Sequence, residues 1–196
     1  MRFLLIHQAF ASPSDPGGTR HYEFARHVVG QGHEFTIVAS DVSYATGRHT
    51  GSSREEVLDG VRVLRAYTYP SYHRGYVGRA FALLVQAATS FVLAVRAGRV
   101  DLVMGTCPPI FQGLSSWLTA ALRRRPFLFE MRDLYVDGAI EEGVLRNPVL
   151  IALARGLERF LLRRAVHIIV NSPAYWPSSR TRSACPQVWP SSASDS

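Results

Sequence analysis

Short apolar runs alternate with stretches of helical period along most of this 196-residue chain, and that alternation restricts the fold more than any other feature. Residues 2–7, 34–39, 61–67, 101–105, 126–130 and 166–170 read as strands. Residues 19–30, 77–97, 110–122 and 148–164 read as helices. In the first helix Phe24, Ala25, Val28 and Val29 recur at helical spacing, and Gly32 closes it. In the last helix, Pro148 suits the first turn. Strands joined in series through helices must run parallel, with helices covering both faces. The expected fold is α/β, a Rossmann-like doubly wound parallel sheet, in one domain over residues 1–175. Residues 41–56 are polar and Gly-rich and are expected to be irregular. Residues 176–196 are rich in Ser and Pro, lack an apolar period, and are expected to form a disordered tail.

The formal charge is +7, and every one of the 22 basic residues is Arg. Such a balance admits nucleic acid, anionic lipid or phosphorylated ligands as partners. Two cysteines, Cys107 and Cys185, give neither a disulfide framework nor metal-ligand spacing, which points to a reducing compartment. The histidines show no metal-binding pattern either, so no metal site is expected. At the N-terminus the apolar run 3–6 is too short for a secretory signal and reads as a buried strand. The longest apolar run, residues 80–95, would span ~24 Å as a helix, short of the ~30 Å hydrocarbon core of a bilayer. It is either a core helix or a face leaning into a membrane, with Gln86, Thr89 and Ser90 as its exceptions.

The fifth strand ends in three charged side chains, Glu130, Arg132 and Asp133. Ligands of open α/β sheets sit beyond the carboxyl ends of the strands, and an unpaired carboxylate in a core is costly. These charges are therefore paired for structure or aimed into a cleft. Gly17 and Gly18, between strand and helix, form either a tight turn or a backbone approach to a phosphate at a helix N-terminus. They do not make a dinucleotide fingerprint. Thr19 suits the N-cap. Arg20, in the first turn, is badly placed for the helix dipole unless it meets an anion. Thr106 follows the fourth strand, beside Cys107, which reads as a small buried residue. Asp137 is a looser carboxylate candidate. Arg155, Arg159 and Arg163 recur at i, i+4 opposite Leu153, Leu157 and Leu161, a basic stripe that is either solvated or turned to an anionic leaflet.

Four segments, in order, resemble the family 4 glycosyltransferases. They are Gly17-Gly-Thr-Arg-His-Tyr-Glu-Phe-Ala-Arg26 with Gly32-His-Glu34, Thr106-Cys-Pro-Pro109, Phe129-Glu-Met-Arg-Asp-Leu134, and Leu157-Glu-Arg-Phe160 with Arg163-Arg-Ala165. The likeness runs from residue 1 to about residue 175, and is greatest to bacterial enzymes that build surface polysaccharides on lipid carriers. It implies the N-terminal, acceptor-binding half of a GT-B fold. The second half, which would bind the nucleotide sugar, has no counterpart in the sequence, as a frameshift or premature stop would produce. By resemblance, Glu130, Arg132 and Asp133 are catalytic, and Gly17, Gly18, Arg20, Thr106 and Asp137 bind donor phosphate or acceptor. Arg155, Arg159 and Arg163 touch the membrane. The implied reaction moves a sugar, with retention, from a nucleotide donor to a lipid-linked saccharide. Neither metal nor cofactor is implied, nor a nucleic-acid partner. The implied place is the cytoplasmic face of the bacterial plasma membrane, and the chain is expected to be inactive alone. Two alternatives stand beside this reading. One is an acceptor and membrane subunit working in trans with a separate donor subunit, as in split N-acetylglucosaminyltransferases. The other is a nucleotide-dependent oxidoreductase.

Overall fold

A computed structural model describes residues 1–13, 17–43, 46–47, 49–50, 54–69, 75–171 and 188–190; the side chains of 75–77, 79–80 and 188–190 lie outside that description. The chain order is β1 (Arg2–Ile6), α1 (Arg20–Gly30), β2 (Glu34–Ser40), β3 (Glu55–Leu58), β4 (Val61–Ala66), α2 (Gly75–Arg96) and β5 (Leu102–Cys107). It continues with α3 (Ile110–Arg123), β6 (Phe127–Met131), α4 (Tyr135–Glu141), α5 (Pro148–Arg164), β7 (His167–Val170) and β8 (Val188–Pro190).

The described strands form one sheet in the order β3-β4-β2-β1-β5-β6-β7-β8, parallel throughout except for β3. The order reverses at β1: the chain moves outward one way through β2 and β4, then returns to build β5, β6 and β7 on the other side. Alternation along each strand sends side chains to two cores. Leu5, Phe35, Ile37 and Val63 pack with Tyr22, Ala25 and Val28 of α1 on one face. Leu4, Ile6, Val38, Val103, Phe129 and Ile168 pack with Ala94, Ala120 and Leu161 of α2, α3 and α5 on the other. This is the doubly wound arrangement expected from the sequence.

Three segments differ from the sequence reading. Part of the expected irregular stretch is β3, which pairs antiparallel with β4, Leu58 opposite Val61. Asp59 and Gly60 both take positive φ, 47° and 82°, the geometry of a type I′ hairpin turn, so the Asp-Gly pair was the signal. The loop carrying Asp137 is helical, as α4. Of the expected tail only Val188–Pro190 is described, and it adds β8 parallel to β7; the rest of the tail and Cys185 lie outside the described residues. At α5, Pro148 does open the helix, and the Asn147 side chain accepts from the N–H groups of Val149 and Leu150 at 2.9 and 3.3 Å.

Two glycines set the closeness of α3 to the sheet. A Cβ on Gly105 would lie 2.5 Å from Ser116 Cβ, and one on Gly113 would lie 2.7 Å from the Phe129 ring. Gly105→Ala should therefore push α3 off β5 and destabilise by about 1–3 kcal/mol. Gly138→Ala on α4, where a Cβ meets nothing within 4 Å, should be neutral or stabilise by up to ~1 kcal/mol. Urea unfolding of both variants checks the contrast.

Candidate functional site

The carboxyl ends of β1, β5 and β6 lie side by side, and the amino end of α1 passes over them. Glu130, next to last in β6, is fully buried. Its Oε2 accepts a 2.7 Å hydrogen bond from His21 Nε2. Its Oε1 lies 2.7 Å from Arg20 Nη2, a charge contact without a directed hydrogen bond. Arg20 also donates to Asn171 Oδ1, just past β7, and stays 48% exposed at its side chain. The His21 ring packs on His7, at the end of β1, with centroids 3.9 Å apart. His7 Nδ1 is 3.0 Å from Thr106 Oγ1 at the end of β5. One buried polar cluster thus joins three strands, α1 and the residue after β7.

The electrostatics of the cluster follow from its crowding. Burial pushes the Glu130 carboxyl upward, but the His21 hydrogen bond and the charges of His21, Arg20 and Arg132 outweigh it, and the net shift is downward. Burial holds His7 well below the usual histidine range, and His21, Arg132 and Arg20 push it the same way. His7 is therefore neutral at pH 7. A carboxylate so deep and so fully engaged is a poor proton acceptor; its geometry is that of a holding group for Arg20 and His21.

The other expected site residues fall into two groups. Gly17, Gly18, Arg20, Thr106, Glu130, Arg132 and Asp133 come together at this end of the sheet. Gly17 has φ +146°, and a Cβ there would press on Ala11 at 3.1 Å; at Gly18 the space is open. Thr19 occupies the N-cap position but makes no side-chain cap bond, so the expected capping role is not met. Arg132 is half-buried and its backbone N–H donates to Cys107 O at 2.9 Å. Asp133 is exposed. Cys107 is buried, and burial drives its thiol far above the usual range, as expected of an inert residue.

Asp137 is placed differently. It sits on α4 in a 3.5 Å ion pair with Arg155 of α5. Arg159 and Arg163 are exposed; of the leucines opposite them, Leu161 is buried and Leu153 is 64% exposed. His7, His21 and Asn171 were missed. Their one signal was position: His7, like Glu130, ends an apolar strand, and His21 adjoins Arg20. Among the described residues no group of three or more His, Cys, Asp or Glu could hold a metal ion.

In a parallel α/β sheet ligands bind beyond the carboxyl ends of the strands, which is where these charged groups collect. Residues 17–176 match the glycosyl transferase 4-like domain, and the chain belongs to that family. The fold is similar to that of a sucrose-phosphate synthase fragment from Thermosynechococcus elongatus (TM-score 0.68, 12% identity, 100% of this chain and 90% of that one). It is also similar to a longer sucrose-phosphate synthase chain from the same organism (TM-score 0.66, 15% identity, 96% of this chain and 47% of that one). The calicheamicin glycosyltransferase is a third (TM-score 0.54, 17% identity, 95% and 52%). The chain thus spans about half the length of the last two. No curated protein matches it in sequence. The fold is the Rossmann-like half of a GT-B glycosyltransferase, and the oxidoreductase alternative has no support.

Two pH windows should appear in stability. Below pH ~6.5 the unfolded chain protonates His7 while the folded chain resists, so stability falls as pH drops from there towards the folded pKa. His7→Gln should flatten that slope. Glu130, lowered on folding, contributes stability that is full above the ordinary carboxylate range of ~4.3 and is lost as pH falls through its folded pKa. Denaturant melts from pH 8 to pH 3 separate the two. At pH 7, Glu130→Ala should destabilise towards the lower end of the ~3–5 kcal/mol expected for stripping a buried charge pair, because Arg20 is half-exposed.

Proposed function

We propose that this domain is the acceptor side of a retaining glycosyltransferase that moves a sugar from a nucleotide donor to a lipid-linked saccharide in surface-polysaccharide assembly. The observation that carries it is a family-4-like domain with cationic groups, Arg20 and Arg132, held at the strand ends beside an exposed carboxylate, Asp133. In this reading the bond from the anomeric carbon to the pyrophosphate breaks, a glycosidic bond forms, and the acceptor hydroxyl gives up its proton. Arg132 stabilises the charge of the leaving pyrophosphate. Asp133 is the carboxylate placed to take the proton. Gly17, Gly18 and Arg20 receive a phosphate, with Glu130 fixing the Arg20 guanidinium and Thr106 fixing the end of β5. The donor is bound by a second half, so the domain alone does not turn over. No metal is needed, since Arg supplies the counter-charge. A lipid-linked acceptor brings the protein to the cytoplasmic face of the plasma membrane, where exposed Arg159 and Arg163 attract anionic lipid.

The chain is incubated with UDP-, GDP- and dTDP-sugars and a polyprenyl-diphosphate sugar, and binding of the lipid-linked sugar is followed in detergent. Binding without turnover is expected, weakened at least about tenfold by Arg20→Ala through loss of a charge-assisted phosphate contact. Turnover in the isolated chain would refute the need for a donor half. Absence of binding, or binding indifferent to Arg20, would refute the acceptor reading.

A further inference from the structure

Helices α2 and α3 bury a set of polar side chains beside Ala82, Leu83, Ala94, Ile110 and Ala120, and leave several large apolar ones exposed. On α2 the fully buried side chains include Gln86 and Ser90, whereas Phe81, Leu84 and Val92 are 53%, 51% and 44% exposed. On α3, Gln112, Ser115, Ser116 and Thr119 are buried, and Leu122 is 63% exposed with Leu118 beside it. Two polar contacts join the helices: Gln112 Nε2 donates to Gln86 Oε1, and Ser115 Oγ to Ala87 O at 2.9 Å; within α2, Gln86 Nε2 donates to Ser90 Oγ at 3.0 Å. Ser116 and Thr119 satisfy themselves on carbonyls one turn back, at 2.7 and 2.8 Å.

A helix facing water turns its polar residues outward. Small and hydroxyl or amide residues between helices, with Leu, Val and Phe outside, is the distribution that lipid selects. The charges agree. The sequence holds no acidic residue between Asp59 and Asp101, nor between Asp101 and Glu130, so neither helix carries one. Exposed Arg96, Arg99, Arg124 and Arg125 collect where α2 and α3 end, and exposed Tyr67 and Tyr69 stand at the other end of α2, Tyr69 edge-on to Phe81 at 5.4 Å. An apolar face between tyrosines and arginines, with no carboxylate on either helix, suits a layer of anionic headgroups over acyl chains. Among the described residues no helix is long and apolar enough to cross a membrane, so the face lies along the surface.

Resting on the membrane part of the functional reading, we propose that the outer face of α2 and α3, centred on Phe81, Leu84, Val92 and Leu122, is the seat of this domain on an anionic bilayer. The α5 arginines contribute attraction only, since α3 stands between α5 and α2. Vesicles of phosphatidylglycerol and phosphatidylcholine, and of phosphatidylcholine alone, are sedimented with the full chain, with Phe81→Ser/Leu84→Ser/Val92→Ser, and with Arg155→Gln/Arg159→Gln/Arg163→Gln. The parent is expected to bind the anionic vesicles and to keep part of that binding in high salt, because buried apolar area is not screened. The apolar triple variant should lose at least about tenfold in partitioning at both salt levels. The arginine variant should lose only the salt-sensitive part. Thermal melts confirm folding, and Leu84→Ser alone, expected to give a smaller loss in the same direction, serves if the triple variant unfolds. Equal binding by parent and apolar variants overturns the proposal, as does a parent that ignores vesicles. So does a lipid-free self-association, seen by sedimentation velocity and abolished by the apolar variant, without vesicle binding; the face would then be a contact between copies. None of these readouts depends on sugar transfer, so failure here is separate from failure of the catalytic reading.

Discussion

A fully buried carboxylate, Glu130, governs the end of the sheet where this domain can act. Isolated in that position it would be heavily penalised, so the chain must bring cations to it. The first turn of α1 supplies a cation, Arg20, and a hydrogen-bond donor, His21. This substitutes for ordinary capping: Thr19 gives no side-chain cap bond, and α1 is anchored at its start by side chains reaching down to β6. Through Asn171, Arg20 extends the same anchor past β7.

The balance of charge in the cluster follows from that anchor. One buried carboxylate faces Arg20, Arg132 and a histidine pair in which His7 is kept neutral by burial and by its cationic neighbours. Two full positive charges remain partly exposed towards the opening, with Asp133 the exposed carboxylate beside them. The two arginines and the two carboxylates balance in formal charge, so what the proposed site offers a phosphate is the shape of the Arg fork and not a surplus of positive charge.

The sheet was legible because short apolar runs separated by helical periods leave few other folds. The β3–β4 hairpin was legible too, in Asp59-Gly60, but its strand is polar enough to pass for a loop. Half of the site could be read from strand ends. The rest could not: His21 and Glu130 are 109 residues apart, and no local pattern links them. Orientation of α2 was equally hidden. A helix apolar almost all round gives no period from which to choose an inner face, and burial of Gln86 was decided by Gln112, a partner on another helix.

That glutamine pair connects the two ends of the functional argument. Gln112 Oε1 accepts the backbone N–H of Gln8 at 2.7 Å, directly after β1, while its Nε2 donates to Gln86. The start of the loop after β1 is therefore pinned at Gln8 to the same buried amides that link α2 to α3. All three groups are shielded from water, and a broken link would leave a donor or acceptor unmet, at about 1–3 kcal/mol. A substitution at Gln112 would therefore loosen both the start of that loop and the contact between α2 and α3.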